Sequence, residues 1–172
     1  LGAELTLVIR NESRALELKQ AIERETGNSR IHIEIADLSL MADVDRLVRR
    51  MVLSGKPIDA LVNNAGALFN PREETSEGLE RSFALLLLSP YLLSSHLHPL
   101  LRKAAGRHGV SRVVNVLSGG MYTQRLDLDD VGWRTRPYDG VKAYAETKRA
   151  QVVLAELFAE ELYGAQQALA AI

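Results

Sequence analysis

Cysteine is absent from the 172 residues. Its absence excludes a disulfide scaffold and any thiolate metal site, and it fits a reducing compartment, so the cytoplasm is the expected location. Redox chemistry in such a chain has to be borrowed from a cofactor. Neither sign of charge is in excess, with 21 Lys+Arg against 22 Asp+Glu, so the clustered positive charge that nucleic acid requires is not expected. Long apolar runs are missing too. The longest, residues 83–93, is broken by Ser89 and Pro90 and falls short of the ~18 residues of a membrane span. The first residue is Leu rather than Met, which suggests a processed chain or a fragment.

What is present is an ordinary globular composition, 47% hydrophobic and 25% charged, of a length natural for one domain. Leu5, Leu7, Val8 and Ile9 form a short β-branched run suited to a buried parallel strand. Leu1 and Gly2 before it read as the tail of a helix. Residues 12–25 place Ala15, Leu16, Leu18, Ala21 and Ile22 at helical spacing, and Ile31, Ile33 and Ile35 mark a second strand. Residues 41–53 read as a helix, residues 58–62 as a third strand, and residues 75 to about 105 as a long helix interrupted near Pro90 and Pro99. A fourth strand spans 110–117, and a last long helix spans 140–162. This alternation predicts an α/β fold with a Rossmann-type doubly wound parallel sheet.

In such a sheet ligands bind beyond the carboxyl ends of the strands. Those positions hold Arg10 and Asn11, Asp37 and Leu38, Asn63 through Gly66 (Asn-Asn-Ala-Gly), and Ser118 followed by Gly119 and Gly120. Singly each suits any turn; together they outline a ligand-facing rim. The strongest local signal is Tyr144 with Lys148, four apart and so on one helical face. A positive charge beside a phenol favours its ionised form, which a general acid or base working near neutrality needs. Tyr138 and Lys142 repeat the spacing just upstream, but Asp139 and Gly140 mark that copy as the lead-in to the helix.

Three motifs in order, Asn63-Asn-Ala-Gly66 after a strand, residues 114–118 (Val-Asn-Val-Leu-Ser) and Tyr144-Ala-Glu-Thr-Lys148, resemble the short-chain dehydrogenase/reductase family, in particular its retinol-dehydrogenase-like members. The resemblance runs from residue 1 to about Leu162. It implies an NAD(P)-dependent oxidoreductase that interconverts a small-molecule alcohol and a carbonyl by hydride transfer. Tyr144 would be the proton donor or acceptor and Ser118 would orient the substrate oxygen. Lys148 would bond the nicotinamide ribose, Asp37 and Leu38 would flank the adenine, and Asn63, Ala65 and Gly66 would border the cofactor's central part. An acidic residue at the adenosine 2'-position favours NAD, whereas an Arg accommodates the NADP phosphate. Arg10 and Asn11, with Arg14 behind them, make NADP the expected cofactor over NAD.

Departures matter as much. The family's Gly-rich phosphate loop is not among these residues, and the central strand that carries it would lie between the strands at Leu5 and Ile58. Both would then present unpaired edges. Residues 1–172 therefore read as a single, partial dinucleotide-binding domain, without the first strand and the C-terminal strands. Leu86 stands where the resemblance puts an Asn supporting a water relay to Lys148, and Leu117 replaces the usual Ser before Ser118. The tail, residues 163–172, is helix-like where the family continues into a strand and the substrate lid. These features support an alternative: a catalytically inactive relative, or a truncated product, kept as a binding or scaffold domain. His96 and His98 lack a third partner at ligand spacing, and Asp127, Asp129 and Asp130 lack the Gly and Glu of a calcium loop, so no metal is expected. Leucines 85–88 read as the buried side of a helix, with a subunit interface, and hence a homo-oligomer, as the second reading.

Overall fold

The computed structural model describes residues 2–160. The helix expected at the tail, 163–172, the expected end of the last helix at Leu162 and the residue Leu1 lie outside the described residues. Contacts group the chain into two compact units, Leu1–Leu38 and Ser39–Ile172.

The first unit is one β-α-β motif. Strand β1 (Leu5–Ile9) and strand β2 (Ile31–Ile35) pair in parallel, with Leu5 opposite Ile31 and Ile9 opposite Ile35. Helix α1 (Glu12–Thr26) makes the crossover that parallel strands require. It starts where Asn11 caps it, the side-chain oxygen accepting from the Arg14 N–H at 3.0 Å, and ends at Gly27, whose φ of 68° suits a residue without Cβ. Ala15, Ile31 and Ala36 are the buried apolar residues of this unit.

The second unit opens with helix α2 (Met41–Ser54), which buries Val44, Leu47 and Val48 on one stripe. Leu40 at its N-cap has no side-chain oxygen to offer. The Glu77 carboxylate takes that place, accepting from Met41 N at 2.7 Å and Ala42 N at 2.9 Å, where a negative charge also complements the helix dipole. Strand β3 (Ala60–Asn63) pairs in parallel with β4 (Arg112–Asn115), Asn63 opposite Asn115. Among the described residues the four strands form two two-stranded sheets, so β1 and β3 each keep one edge unpaired, as the resemblance implies. These strands are less covered than expected: register partners Val62 and Val114 are 56% and 41% exposed.

The long helix expected from residue 75 begins only at Arg81. Thr75 and Leu79 close a turn instead, with Thr75 N donating to Leu79 O at 2.8 Å, and Glu80 caps the helix, its carboxylate accepting from Ser82 N and Phe83 N. Helix α3 (Arg81–Phe83) runs into a π-turn (Ala84–Leu88), then α4 (Ser89–His96) and α5 (His98–His108). Pro90 has no N–H for the Leu86 carbonyl, and the wider turn, in which Ser89 N–H reaches Ala84 O, absorbs it without a sharp kink. The 54° bend falls at Leu97, ahead of Pro99. Of leucines 85–88 only Leu86 is fully buried, so the core reading holds for that one while its three neighbours are half-buried; Leu97 and Leu101 complete the buried set. No single helix among the described residues is long and apolar enough to cross a membrane.

Helix α6 (Gly140–Phe158) starts at Asp139, whose side chain accepts from Val141 N and Lys142 N. Gly140 is required sterically. A Cβ there would sit 2.2 Å from the Phe69 carbonyl oxygen.

Candidate active site

The carboxyl end of β4 delivers the chain to Ser118, in extended backbone at φ −146°, and then into a 3-10 turn (Gly119–Thr123). Ser118 Oγ accepts from Gly120 N–H at 3.3 Å, which fixes the hydroxyl at the head of the turn. The turn rests on α6: a Cβ built on Gly120 would lie 4.0 Å from Ala145 Cβ and 3.5 Å from Ser118 Oγ. Ala145 follows Tyr144, so packing at this small residue brings Ser118 and Tyr144 to the same end of the strand. No hydrogen bond joins the two hydroxyls among the described residues.

Lys148 sits one turn below Tyr144 and is 3% exposed. The i, i+4 spacing places both on one face, yet burial decides where the ammonium goes. A buried cation needs acceptors, and Nζ donates to Val116 O at 2.6 Å and Gln151 Oε1 at 3.1 Å while lying 5.9 Å from the centroid of the Tyr144 ring. Burial lowers its pKa from the ordinary lysine value. The bond to Val116, two residues before Ser118, ties the strand end to the helix. Ser118, Tyr144 and Lys148 are thereby collected from two elements 26 or more residues apart in sequence.

At the end of β3, Asn63 is 6% exposed and donates to its register partner's Asn115 Oδ1 at 2.9 Å and to Ser94 Oγ at 3.3 Å. Its own Oδ1 is buried and has no partner. Asn64, Ala65 and Gly66 follow on the surface. Leu86 packs under this loop: a Cβ on Gly66 would meet Leu86 Cδ2 at 3.1 Å, so a side chain at 66 would have to displace a fully buried leucine. Arg10, Asn11, Asp37 and Leu38 belong to the first unit, after β1 and β2. Arg10 is exposed. Asn11 is committed to capping α1, where its oxygen also accepts from Ser13 Oγ at 2.8 Å.

Sequence reasoning missed the polar bracing of the segment between Ser118 and Tyr144. The Arg136 guanidinium forks onto the Glu146 carboxylate, at 3.0 and 2.6 Å, and stacks 3.7 Å above the Trp133 ring. It also pairs with Asp127 and Asp130, so two of the acids weighed as a calcium loop are spent on a cation. The Arg134 N–H foremost, with Thr135 and Arg136, holds the Asp130 carboxyl below its ordinary pKa. Tyr138 acts structurally, as its place ahead of the helix suggests. Its hydroxyl lies 3.1 Å from both Phe69 O and Glu80 Oε1, and burial is the main cause of its raised pKa. Arginine and acid residues at 127, 130, 136 and 146 are individually unremarkable on a surface; only proximity in the fold joins them.

Comparison with known proteins places these features. The chain is 42% identical over 158 residues to dehydrogenase/reductase SDR family member 12 of Bos taurus, covering 92% of this chain and 48% of that protein. It is 35% identical over 155 residues to polyprenol dehydrogenase of Mus musculus, covering 90% and 46%. Retinol dehydrogenase 13 of Mus musculus is 28% identical over 163 residues, covering 95% and 48%. The chain thus spans about half the length of the curated relatives it matches. Among solved structures, an uncharacterized protein of Mycobacterium paratuberculosis superposes with a TM-score of 0.74 at 26% identity, covering 99% of this chain and 56% of that one. A short-chain dehydrogenase of Sphingobium yanoikuyae, with a TM-score of 0.66, 24% identity and 94% and 57% coverage, shares the fold. The family described as short chain dehydrogenase matches residues 1–127, which hold the parallel strand pairs, the Asn-Asn-Ala-Gly loop and Ser118, and the chain belongs to that family, with its Rossmann-type α/β fold in incomplete form.

Proposed function

We propose that this chain forms the catalytic part of an oxidoreductase that interconverts an alcohol and a carbonyl by hydride transfer, with NADP preferred over NAD. One observation carries the reading: a buried lysine without a carboxylate partner among the described residues, one helical turn below Tyr144, is bonded to Val116 in the segment that leads from β4 to Ser118. Such a cation is costly to bury, and buried groups with perturbed pKa values cluster at ligand-binding and proton-transfer sites. The nicotinamide cofactor, when bound, supplies or accepts the hydride at the substrate carbon. In the reducing direction Tyr144 gives its phenolic proton to the carbonyl oxygen, Ser118 orients that oxygen, and Lys148 holds the nicotinamide ribose hydroxyls. The orphaned Asn63 Oδ1 fits a donor bordering the cofactor's central part. Ala65 and Gly66 leave room for its central part, and Asp37 and Leu38 flank the adenine. The Sphingobium enzyme of this fold is in complex with NADPH, which supports the cofactor class.

Arg10 pairs with the adenosine 2'-phosphate in this reading, beside the start of α1 that Asn11 caps. The substrate is a small-molecule alcohol or carbonyl, and the protein works in a reducing compartment such as the cytoplasm. Fluorescence titration of the complete gene product tests the proposal. A charge-assisted contact of ~1.5–3 kcal/mol makes NADPH bind about 10- to 100-fold more tightly than NADH. Equal affinities remove the argument from Arg10. Tyr144→Phe abolishes turnover while NADPH affinity stays within about twofold, because the phenol acts on the substrate rather than the dinucleotide. Unchanged turnover in that variant overturns the catalytic assignment. Leu86 favours the second reading, a silent binding domain, since a buried leucine at that place holds no relay water.

A further inference from the structure

Both hydrogen-bond partners of the buried Lys148 ammonium are neutral: the Val116 carbonyl and the Gln151 amide oxygen. No carboxylate pairs with Nζ among the described residues. Glu146 on the same helix is taken by Arg136, and Tyr144 is the titratable group at the flank of Nζ. Gln151 is itself 2% exposed and lies three residues after Lys148, which sets its side chain beneath the same helical face. Burying a long amide costs rotamer freedom and hydration, and an aliphatic residue would fill the space without either cost. What the amide adds is an acceptor without a charge.

We propose that Gln151 is a positioning residue that holds the Lys148 ammonium in place without neutralising it, so that its charge stays available to the ribose hydroxyls of a bound dinucleotide and to Tyr144. The inference rests on the reading of Lys148 given above. A carboxylate 3.1 Å from Nζ would instead bind the cation as an ion pair, and the cofactor would have to compete for it.

Two near-isosteric variants separate this role from space filling. In the complete gene product with labelled lysines, the Lys148 NMR resonance is assigned by its loss in Lys148→Arg and titrated against pH. Gln151→Glu moves that titration to higher pH, because the new charge favours the ammonium, and weakens NADPH binding at least fivefold. Gln151→Met moves it to lower pH, because the ammonium loses an acceptor. The Gln151→Met shift is the discriminating one, since a residue that merely packs gives up no acceptor when it becomes methionine. Shifts in the same direction, or unshifted titrations with unaltered NADPH affinity, overturn the proposal. If Glu at 151 prevents folding, Gln151→Met decides alone, a lowered titration supporting the role and an unmoved one refuting it. Lys148→Met that leaves NADPH affinity unchanged sinks the reading of Lys148 itself, whatever Gln151 does.

Discussion

Replacing Gly140 by alanine isolates the contact that sets where the helix bearing Tyr144 and Lys148 begins. Gly140 is the first residue of α6, which carries Tyr144, Lys148 and Gln151, and its backbone lies outside the left-handed region, so alanine keeps the native φ. Helix propensity alone would make the change favourable by about 0.5–1 kcal/mol. Against this, the added Cβ meets Phe69 O at 2.2 Å, Asn70 Cβ at 2.9 Å and the Phe69 carbonyl carbon at 3.1 Å. Two of these are backbone atoms with no rotamer to change. Ordinary contact begins at 3.4 Å, so the gap must open by 3.4 − 2.2 = 1.2 Å. Overpacking of that kind costs about 1–3 kcal/mol, and the displaced Phe69 carbonyl also strains its hydrogen bond from Tyr138, worth about 1 kcal/mol. The net loss is about 1–3 kcal/mol, or a fall in Tm of about 3–10 °C for a chain of this size. Gly106 in α5 is the control, since nothing lies within 4 Å of a Cβ there. Gly106→Ala should raise Tm by about 1–4 °C through propensity alone. Thermal unfolding followed by circular dichroism reads both. If Gly140→Ala also raises Tm, the close approach to Phe69 does not set the start of α6 and the reasoning fails.

Two further outcomes follow from contacts distant in sequence. Glu77→Ala removes the carboxylate that caps α2 and leaves Met41 N and Ala42 N without it, so urea unfolding should show a loss of about 1–2 kcal/mol, whereas a change below about 0.3 kcal/mol would show that the helix end is satisfied by water. Leu86→Asn places an amide in a fully buried site against Gly66 and should cost about 3 kcal/mol or more in the same assay; an equally stable variant would mean that the site accepts a polar group and water, which revives the relay reading.

Much of the fold was legible because it is written in local periodicity. Apolar residues at helical spacing locate α1 and α2 to within a residue or two, and alternation of β-branched runs with helices predicts parallel pairing. The fourth strand proved shorter than its apolar run. Pairing ends with Asn63 and Asn115, although Val116 N still reaches Asn63 O at 3.1 Å. The helix expected from residue 75 starts at Arg81, because a turn closed by Thr75 and a cap supplied by Glu80 compete with helical propensity.

The same division runs through the site. Sequence alone determined that Tyr144 and Lys148 share a helical face, that Asn63 and Ser118 stand at strand ends, and that Asp139 starts α6, since each depends on neighbours a few residues away. Only the tertiary structure decided what those groups touch. Val116, 32 residues before Lys148, takes the ammonium. Leu86 fills the space under Gly66, and the Phe69 backbone disfavours a side chain at 140. Arg136 finds Glu146 and Trp133 rather than solvent. Covalent geometry and helix pitch act over a turn or two and can be counted along the chain. Acceptors for a buried cation, a cap for a helix end or room for a methyl group come from whatever segment folds alongside, and no local pattern names that segment.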